Sequence, residues 1–399
     1  MNSNSRAFLF LLLGLLTAFA PLMTDMYLPT LPAMGRYFQT SASMVQLGLS
    51  ASMLGLAIGQ LLFGPWSDRV GRRQPLLISL WLFVVATFLC IISPSIEFFL
   101  AARLGQGLAG SGGIVLARSI AADRFSGAQL TKALAIVGAI NGLAPVLAPI
   151  VGGLCADSLG WRGIFAILLG LGLVILALSY RYVETLPPSL RQSEGGMRQL
   201  GRSLAQVAVQ APFRLYTLQL ATAQGLLFAN IASSPFIIQS HFGQSPIIFS
   251  LCFALNSLGI TLGAAFALRF ASLEEAITWS SRGLMVGTLA IAGLLAGGGG
   301  LVAYEILMTA VCFFLGMTFT ASTSLAMDLV RSQAGAGSAL LGAVGFVVGG
   351  AIAPLVGWGQ ITVSTPAVMV SMALITALLA WRARKALIEA KASLLVEAA

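Results

Sequence analysis

The chain has 399 residues, of which 58% are hydrophobic and only 9% charged, whereas a soluble globular domain carries about a quarter charged residues. That balance excludes an ordinary soluble enzyme and indicates a polytopic membrane protein. The net charge of +9 does not indicate nucleic-acid binding, because the basic residues stand singly or in short groups between apolar runs, not on one amphipathic face.

Twelve apolar runs read as membrane helices, at approximately 7–31, 44–66, 75–94, 97–120, 130–154, 162–183, 213–238, 246–269, 278–297, 300–325, 335–358 and 362–384. A ~30 Å hydrocarbon layer needs about 20 residues at ~1.5 Å each. The first run follows a single charge, Arg6, and no small-x-small cleavage site follows it. It therefore reads as a span and not a signal peptide. It carries Asp25 within Thr24-Asp25-Met26-Tyr27-Leu28-Pro29.

Between the second and third spans lies a dense charged turn, Gly64-Pro65-Trp66-Ser67-Asp68-Arg69-Val70-Gly71-Arg72-Arg73-Gln74-Pro75. Gly64 and Gly71 are expected to let the backbone bend and approach a neighbour. The Arg side chains hold the turn on one membrane face. The fourth span carries Arg103 near one end, and Arg118 and Asp123 near the other. Charges in hydrocarbon are costly and usually functional. Counting residues from the span ends places Asp25 and Arg103 at similar depth, about 9–12 Å from one face. Burial favours a protonated Asp25 while a nearby Arg favours the carboxylate. A group balanced in that way suits proton coupling; the same pair could instead be a static ion pair between the first and fourth spans. Arg118 falls at the level of Asp68 and Asp123, as part of a charge network or as a snorkelling side chain.

The fifth span contains Pro145, Pro149, Gly152 and Gly153. The prolines remove backbone donors and the glycines permit close approach. The small faces of the fourth and fifth spans read as surfaces on which helices slide or rock. Asn141, Gln219, Gln224, Asn230 and Asn256 are uncharged polar residues within spans; some face the cavity and others bridge helices. Cys90, Cys155, Cys252 and Cys312 fit no metal or disulfide spacing and read as packing residues. His241 falls in a turn. With one His outside the spans and no His-Glu-x-x-His pattern, a membrane enzyme is not expected, and neither is a metal.

With the N-terminus cytoplasmic, the inner segments hold most of the Lys and Arg, and the outer ones only Arg36 and Arg162. This bias places both termini inside. The hydrophilic stretch 184–212 divides the spans six and six. The expected organisation is an N-terminal bundle over 1–183, a cytoplasmic linker over 184–212, and a C-terminal bundle over 213–399, related by a pseudo-repeat.

The turn Gly64…Asp68-Arg69-x-Gly71-Arg72-Arg73 resembles the signature loop of the major facilitator superfamily. Arg103-Leu104-Gly105-Gln106-Gly107 resembles the fourth-helix motif of its proton-coupled members. Ala148-Pro149-Ile150-Val151-Gly152-Gly153 resembles the fifth-helix antiporter motif, with Ala148 in place of the usual Gly. Asp25-Met26-Tyr27-Leu28-Pro29 is similar to the first-helix signature of the bicyclomycin-resistance (Bcr/CflA) drug transporters. Trp161-Arg162-Gly163, Phe253-Ala254-Leu255-Asn256 and Ala334-Gly335 also look familial.

The resemblance implies an all-α fold of twelve helices in two six-helix bundles. It implies a bacterial inner-membrane antiporter that exchanges small drugs for protons, with no cofactor beyond the proton. A monomer in the bilayer, with a drug-like substrate and no nucleic acid, is expected. Under this reading Asp25 and Arg103 couple protons, and Met26, Tyr27, Asn141, Asn230 and Asn256 line the substrate cavity. Gly64, Asp68, Arg69, Gly71, Arg72, Arg73, Arg118 and Asp123 form the cytoplasmic gate. Pro145, Pro149, Gly152 and Gly153 form the antiporter motif. The alternative is a proton-coupled importer of a nucleoside or similar metabolite. Position 17 is Thr, where some related exporters carry a second carboxylate.

Overall fold

The computed structural model describes residues 6–182, 184–191 and 196–397. The chain forms thirteen α-helices in these residues, joined by short turns. α1 spans Arg6–Asp25, α2 Leu31–Tyr37, α3 Ala42–Val70, α4 Arg73–Ile92, α5 Ile96–Arg124 and α6 Gly127–Tyr180. α7 spans Gly196–Val209, α8 Ala211–Pro235, α9 Pro246–Ala267, α10 Leu273–Ala296, α11 Leu301–Leu329, α12 Ala334–Ile352 and α13 Ile361–Glu397.

Among the described residues, ten helical stretches are long and apolar enough to cross a membrane. One of them, Leu143–Tyr180, is two helices, because Gly160 breaks α6 at φ 61° and ψ −174°. Only glycine adopts that conformation readily. α5 falls outside the ten but is 29 residues long. Its glycines and charges lower its hydropathy, and its apolar neighbours bury it. Counting both gives the twelve spans expected.

Helix starts follow local chemistry. Ser41, Ser95 and Ser272 each accept a backbone N–H three residues on, at 3.3, 3.3 and 3.1 Å, the N-cap bond that satisfies an orphan donor. The first span is not one helix to residue 31. α1 stops at Asp25, and a 3₁₀ turn over Leu28–Thr30 leads into α2. Pro29 and Pro32 lack the N–H that a continuous helix would use. The charged turn is also shorter than the sequence indicated. α3 runs through Gly64 and Pro65 to Val70 and ends where Gly71 adopts φ +102°. Gly64 does not bend the chain: it is helical, and a Cβ there would meet only Val115, at an ordinary 3.6 Å.

The chain divides into two compact units. Unit 1 takes residues up to Gln199 together with Ile238–Ala254, and unit 2 takes Leu200–Ile237 and the chain from Leu255. In unit 1, α3 and α5 touch backbone to backbone. A Cβ on Gly55 would overlap Leu104 O and the Leu108 amide, and one on Gly107 would overlap Ser52 O. Unit 2 repeats this device between α9 and α11: a Cβ on Gly263 would overlap Phe313 O, and one on Gly316 would overlap Ile260 O. Lipid tails supply no hydrophobic drive for helix pairing, so close van der Waals contact does that work. The small face of α5 is thus interlocked with α3 in this structure.

The stretch 184–212 is built into both units. Residues 184–186 bind the charged turn, as described below. α7 places Val207 in a buried cluster with Phe213, Tyr216 and Leu220 of α8.

Candidate functional site

Arg103 is the largest fully buried side chain. Its Nε donates to Gly48 O at 3.3 Å, Nη1 to Met23 O at 3.2 Å and to Gln106 Oε1, and Nη2 to Ser52 Oγ at 2.9 Å. Gln106 passes the network on, its Nε2 donating to Thr87 Oγ1 at 2.8 Å. The guanidinium also sits 4.4 Å from the centroid of the Tyr27 ring and 5.6 Å from that of Phe165. Arg103 therefore ties α1, α3, α4 and α5 together through neutral acceptors and ring faces. Its planar fork of donors makes this possible; a lysine has no such fork.

Asp25 is buried at the C-terminal end of α1, two residues after the Met23 carbonyl that Arg103 binds. The two predicted coupling residues therefore share one neighbourhood. The static ion pair is absent, however: among the described residues no ion pair joins Asp25 to Arg103. The cation is satisfied without the carboxylate because the break in α1 frees the Met23 carbonyl.

Tyr27 and Met26, expected to line a cavity, are buried. Tyr27 packs on the guanidinium. The Met26 carbonyl lies where a Cβ on Gly152 would be, so the glycine seats the chain just beyond Asp25 against α6. The adjacent Gly153 meets a different segment, with Pro246 O and Ser250 Oγ occupying the space over it. Ser250 Oγ donates to Pro149 O at 2.6 Å, and Gln239 Nε2 donates to Pro29 O at 2.8 Å. Residues 238–254 thus clasp α6 and the 3₁₀ turn after Asp25, all within unit 1. Pro145 lies one turn before Pro149 on α6. In unit 2, Asn230 is buried with its Nδ2 4.0 Å from Cys312 Sγ, and Asn256 Oδ1 accepts from Thr309 Oγ1 at 3.2 Å. The Asn141 side chain lies outside the described residues.

At the charged turn, Arg72 is the centre. It pairs with Asp68 at 2.5 Å and with Asp123 at 2.8 Å, and donates to Ser67 Oγ at 2.7 Å. Sequence reasoning missed Glu184, whose carboxylate accepts the backbone N–H groups of Arg72, Arg73, Thr185 and Leu186 at 2.9–3.0 Å. It caps the start of α4, where the helix dipole favours an anion. Gly71 is required here twice over: its φ is positive, and a Cβ would overlap the Glu184 carboxylate. Arg73 is exposed and donates to Tyr180 O at 3.1 Å, and Arg69 is exposed. Arg118 is exposed on α5, and among the described residues no bond joins it to this cluster.

Burial alone would push the Glu184 carboxyl up, but the four N–H groups outweigh it and hold the acid below its usual range. A depressed native value means that the clamp is fully formed above the unfolded pKa of about 4.3 and is lost as pH falls through the native one. The clamp should therefore be indifferent to changes between pH 5 and 8. Glu184→Ala is expected to speed amide exchange at Arg72, Arg73, Thr185 and Leu186 at least about tenfold at neutral pH, since each loses a charge-assisted bond. Unchanged exchange at these four amides would contradict the clamp.

The chain as a whole is similar to known proteins. The family model of the Major Facilitator Superfamily matches residues 13–354. The chain belongs to that superfamily. The MFS-type transporter YdgK of Bacillus subtilis (strain 168), itself uncharacterized, is 36% identical over 90% of this chain and 91% of its own length. A bicyclomycin resistance protein homolog of Haemophilus influenzae (strain ATCC 51907 / DSM 11121 / KW20 / Rd) is 26% identical over 92% of this chain and 93% of its own. Among solved structures, a bacterial homolog of the human lysosomal transporter Spinster, described as inward-facing and occupied, superposes with a TM-score of 0.77 at 17% identity, covering 96% of both chains. The superfamily fold, with its twelve helices, is thereby established, and the resemblance read from the motifs holds.

Proposed function

We propose that this protein exports small drug-like molecules in exchange for protons by alternating access, with both termini on the cytoplasmic side of a bacterial inner membrane. The observation that carries this reading is the Asp25 carboxyl, buried at a helix break beside a cation that is already satisfied by neutral groups. Such a carboxyl can gain or lose a proton without breaking an ion pair. Burial and the Arg103 charge act on it in opposite senses, so access to one face or the other can decide its state. Relatives named for drug resistance support export of drugs. The Lys and Arg bias supports the orientation, and the Arg72–Asp68–Asp123 cluster with Glu184 then serves as a cytoplasmic latch.

The test is transport in proteoliposomes against an imposed pH gradient, across a panel of dyes, antibiotics and nucleosides. Asp25→Asn should lower substrate-driven proton movement at least about tenfold while substrate still binds. Proton movement at the wild-type rate in that variant would remove Asp25 from the mechanism. Uptake of nucleosides with no drug efflux would reverse the direction proposed.

A further inference from the structure

A cavity of about 460 Å³ lies within unit 2, away from the residues above, between the start of α8, the first half of α10 and the charged end of α13. One wall is apolar, with Ile277, Met285 and Trp381. The rest carries Arg282 and Arg384, faced by Glu274. Two further wall residues, Tyr216 and Ser281, are more than nine-tenths buried, and among the described residues their hydroxyls have no hydrogen-bond partner. Both hydroxyls are covered by the protein itself, so they belong to the closed part of the wall and leave the arginines to meet a ligand. Two guanidinium groups line one partly apolar recess, and their charge calls for an anionic partner.

The surroundings identify the kind of ligand. α10 and α13 leave Leu289, Leu374 and Leu378 exposed, the face that meets acyl chains. Trp279 and Trp381 are also exposed at the level of the cavity, where indole rings mark the membrane–water boundary. Arg282 is nine residues after the start of α10, so its charge reaches this level by extending along the helix. Arg382 and Lys385 add positive charge on α13 beside the cavity, against Glu274 and Glu275 on α10. A basic recess between membrane helices, at the leaflet boundary and open to acyl chains, is the arrangement that binds an anionic headgroup.

We propose that this cavity is a binding site for an anionic phospholipid of the phosphatidylglycerol class. The phosphodiester lies between Arg282 and Arg384, which can each offer a fork of donors to phosphate oxygens. Headgroup hydroxyls face Glu274, and one acyl chain lies along Ile277, Met285 and Trp381. The net positive balance selects this lipid over one whose headgroup carries an ammonium. The assignment does not depend on Asp25 or on proton exchange.

The experiment is native mass spectrometry of the full-length purified protein with phosphatidylglycerol, phosphatidylethanolamine and phosphatidylcholine of the same acyl length. Phosphatidylglycerol should be retained as a one-to-one adduct at least about tenfold more than phosphatidylcholine. The R282Q/R384Q protein should fall to the phosphatidylcholine level, and R331Q, at an exposed arginine elsewhere in unit 2, should not. Both altered arginines are exposed, so the variant folds, which its unfolding temperature without lipid checks. Equal retention by R282Q/R384Q would overturn the site, and phosphatidylethanolamine held as tightly as phosphatidylglycerol would overturn the charge selection. Displacement of the adduct by millimolar inorganic phosphate would overturn the lipid in favour of a free anion.

Discussion

An Arg103→Met protein is expected to be about 3 kcal/mol or more less stable than the wild type, whereas Asp25→Asn should be close to neutral. The difference comes from what each change strands. Arg103 bonds Met23 O, Gly48 O, Ser52 Oγ and Gln106 Oε1. Bonds to a charged group contribute about 1.5–3 kcal/mol each, and buried acceptors left unmet add a further cost. Part of that total is offset because methionine has no charge to desolvate, which brings the net effect to the smaller figure. For a unit of about 200 residues this corresponds to a fall in apparent Tm of at least about 6 °C. Arg103→Lys should recover only part of it, since an ammonium cannot reach both α1 and α3 acceptors in the fork geometry. A double-mutant cycle between Asp25→Asn and Arg103→Met should show the modest coupling of a nearby unbonded charge, about 1 kcal/mol; a value of about 3 kcal/mol or more would restore the ion pair that the geometry lacks.

The second large effect is at Gly152. A single methyl group there overlaps the Met26 carbonyl, and backbone cannot rotate aside as a side chain can. Glycine to alanine inside a helix ordinarily gains about 1 kcal/mol, but overpacking costs about 1–3 kcal/mol and more when backbone must move. Gly152→Ala is therefore expected to destabilise by about 2 kcal/mol and to displace Asp25, one residue before Met26, with transport reduced at least about tenfold. Gly64→Ala is the internal control: the same change has only Val115 to meet and should leave unfolding unchanged or slightly raised. Wild-type transport in Gly152→Ala would show that the seat of Met26 on α6 does not position the carboxyl.

How much of this could be read from the residues differs by feature. The spans were legible because membrane helices need long apolar runs, and their starts because serine caps are local. The two motif prolines and glycines of α6 were legible too, though not the two different partners of Gly152 and Gly153. The acceptors around Arg103 were not legible at all: two are backbone carbonyls, which every residue possesses, and only the fold selects Met23 and Gly48. Glu184 was hidden by distance, lying 112 residues from Arg72 in a polar stretch where a carboxylate looks solvated. Gly64 was misread because glycine's freedom to bend was taken for a turn, yet α3 continues through it and through Pro65; membrane helices tolerate the bond lost at a proline where neighbours re-satisfy it.

The interlocked glycines also supply a register between the two halves of the chain. Gly55 of α3 corresponds to Gly263 of α9, each packing on the carbonyl three residues before Gly107 of α5 and Gly316 of α11, which correspond in turn. Four residues before Gly107 stands Arg103; four before Gly316 stands Cys312. Three before Gly55 stands Ser52, which the guanidinium binds; three before Gly263 stands Ile260. The place of the caged cation in one copy is thus held in the other by a buried thiol beside Asn230. The two units share this glycine scaffold and differ in charge, one holding an ionic centre and the other a neutral polar one.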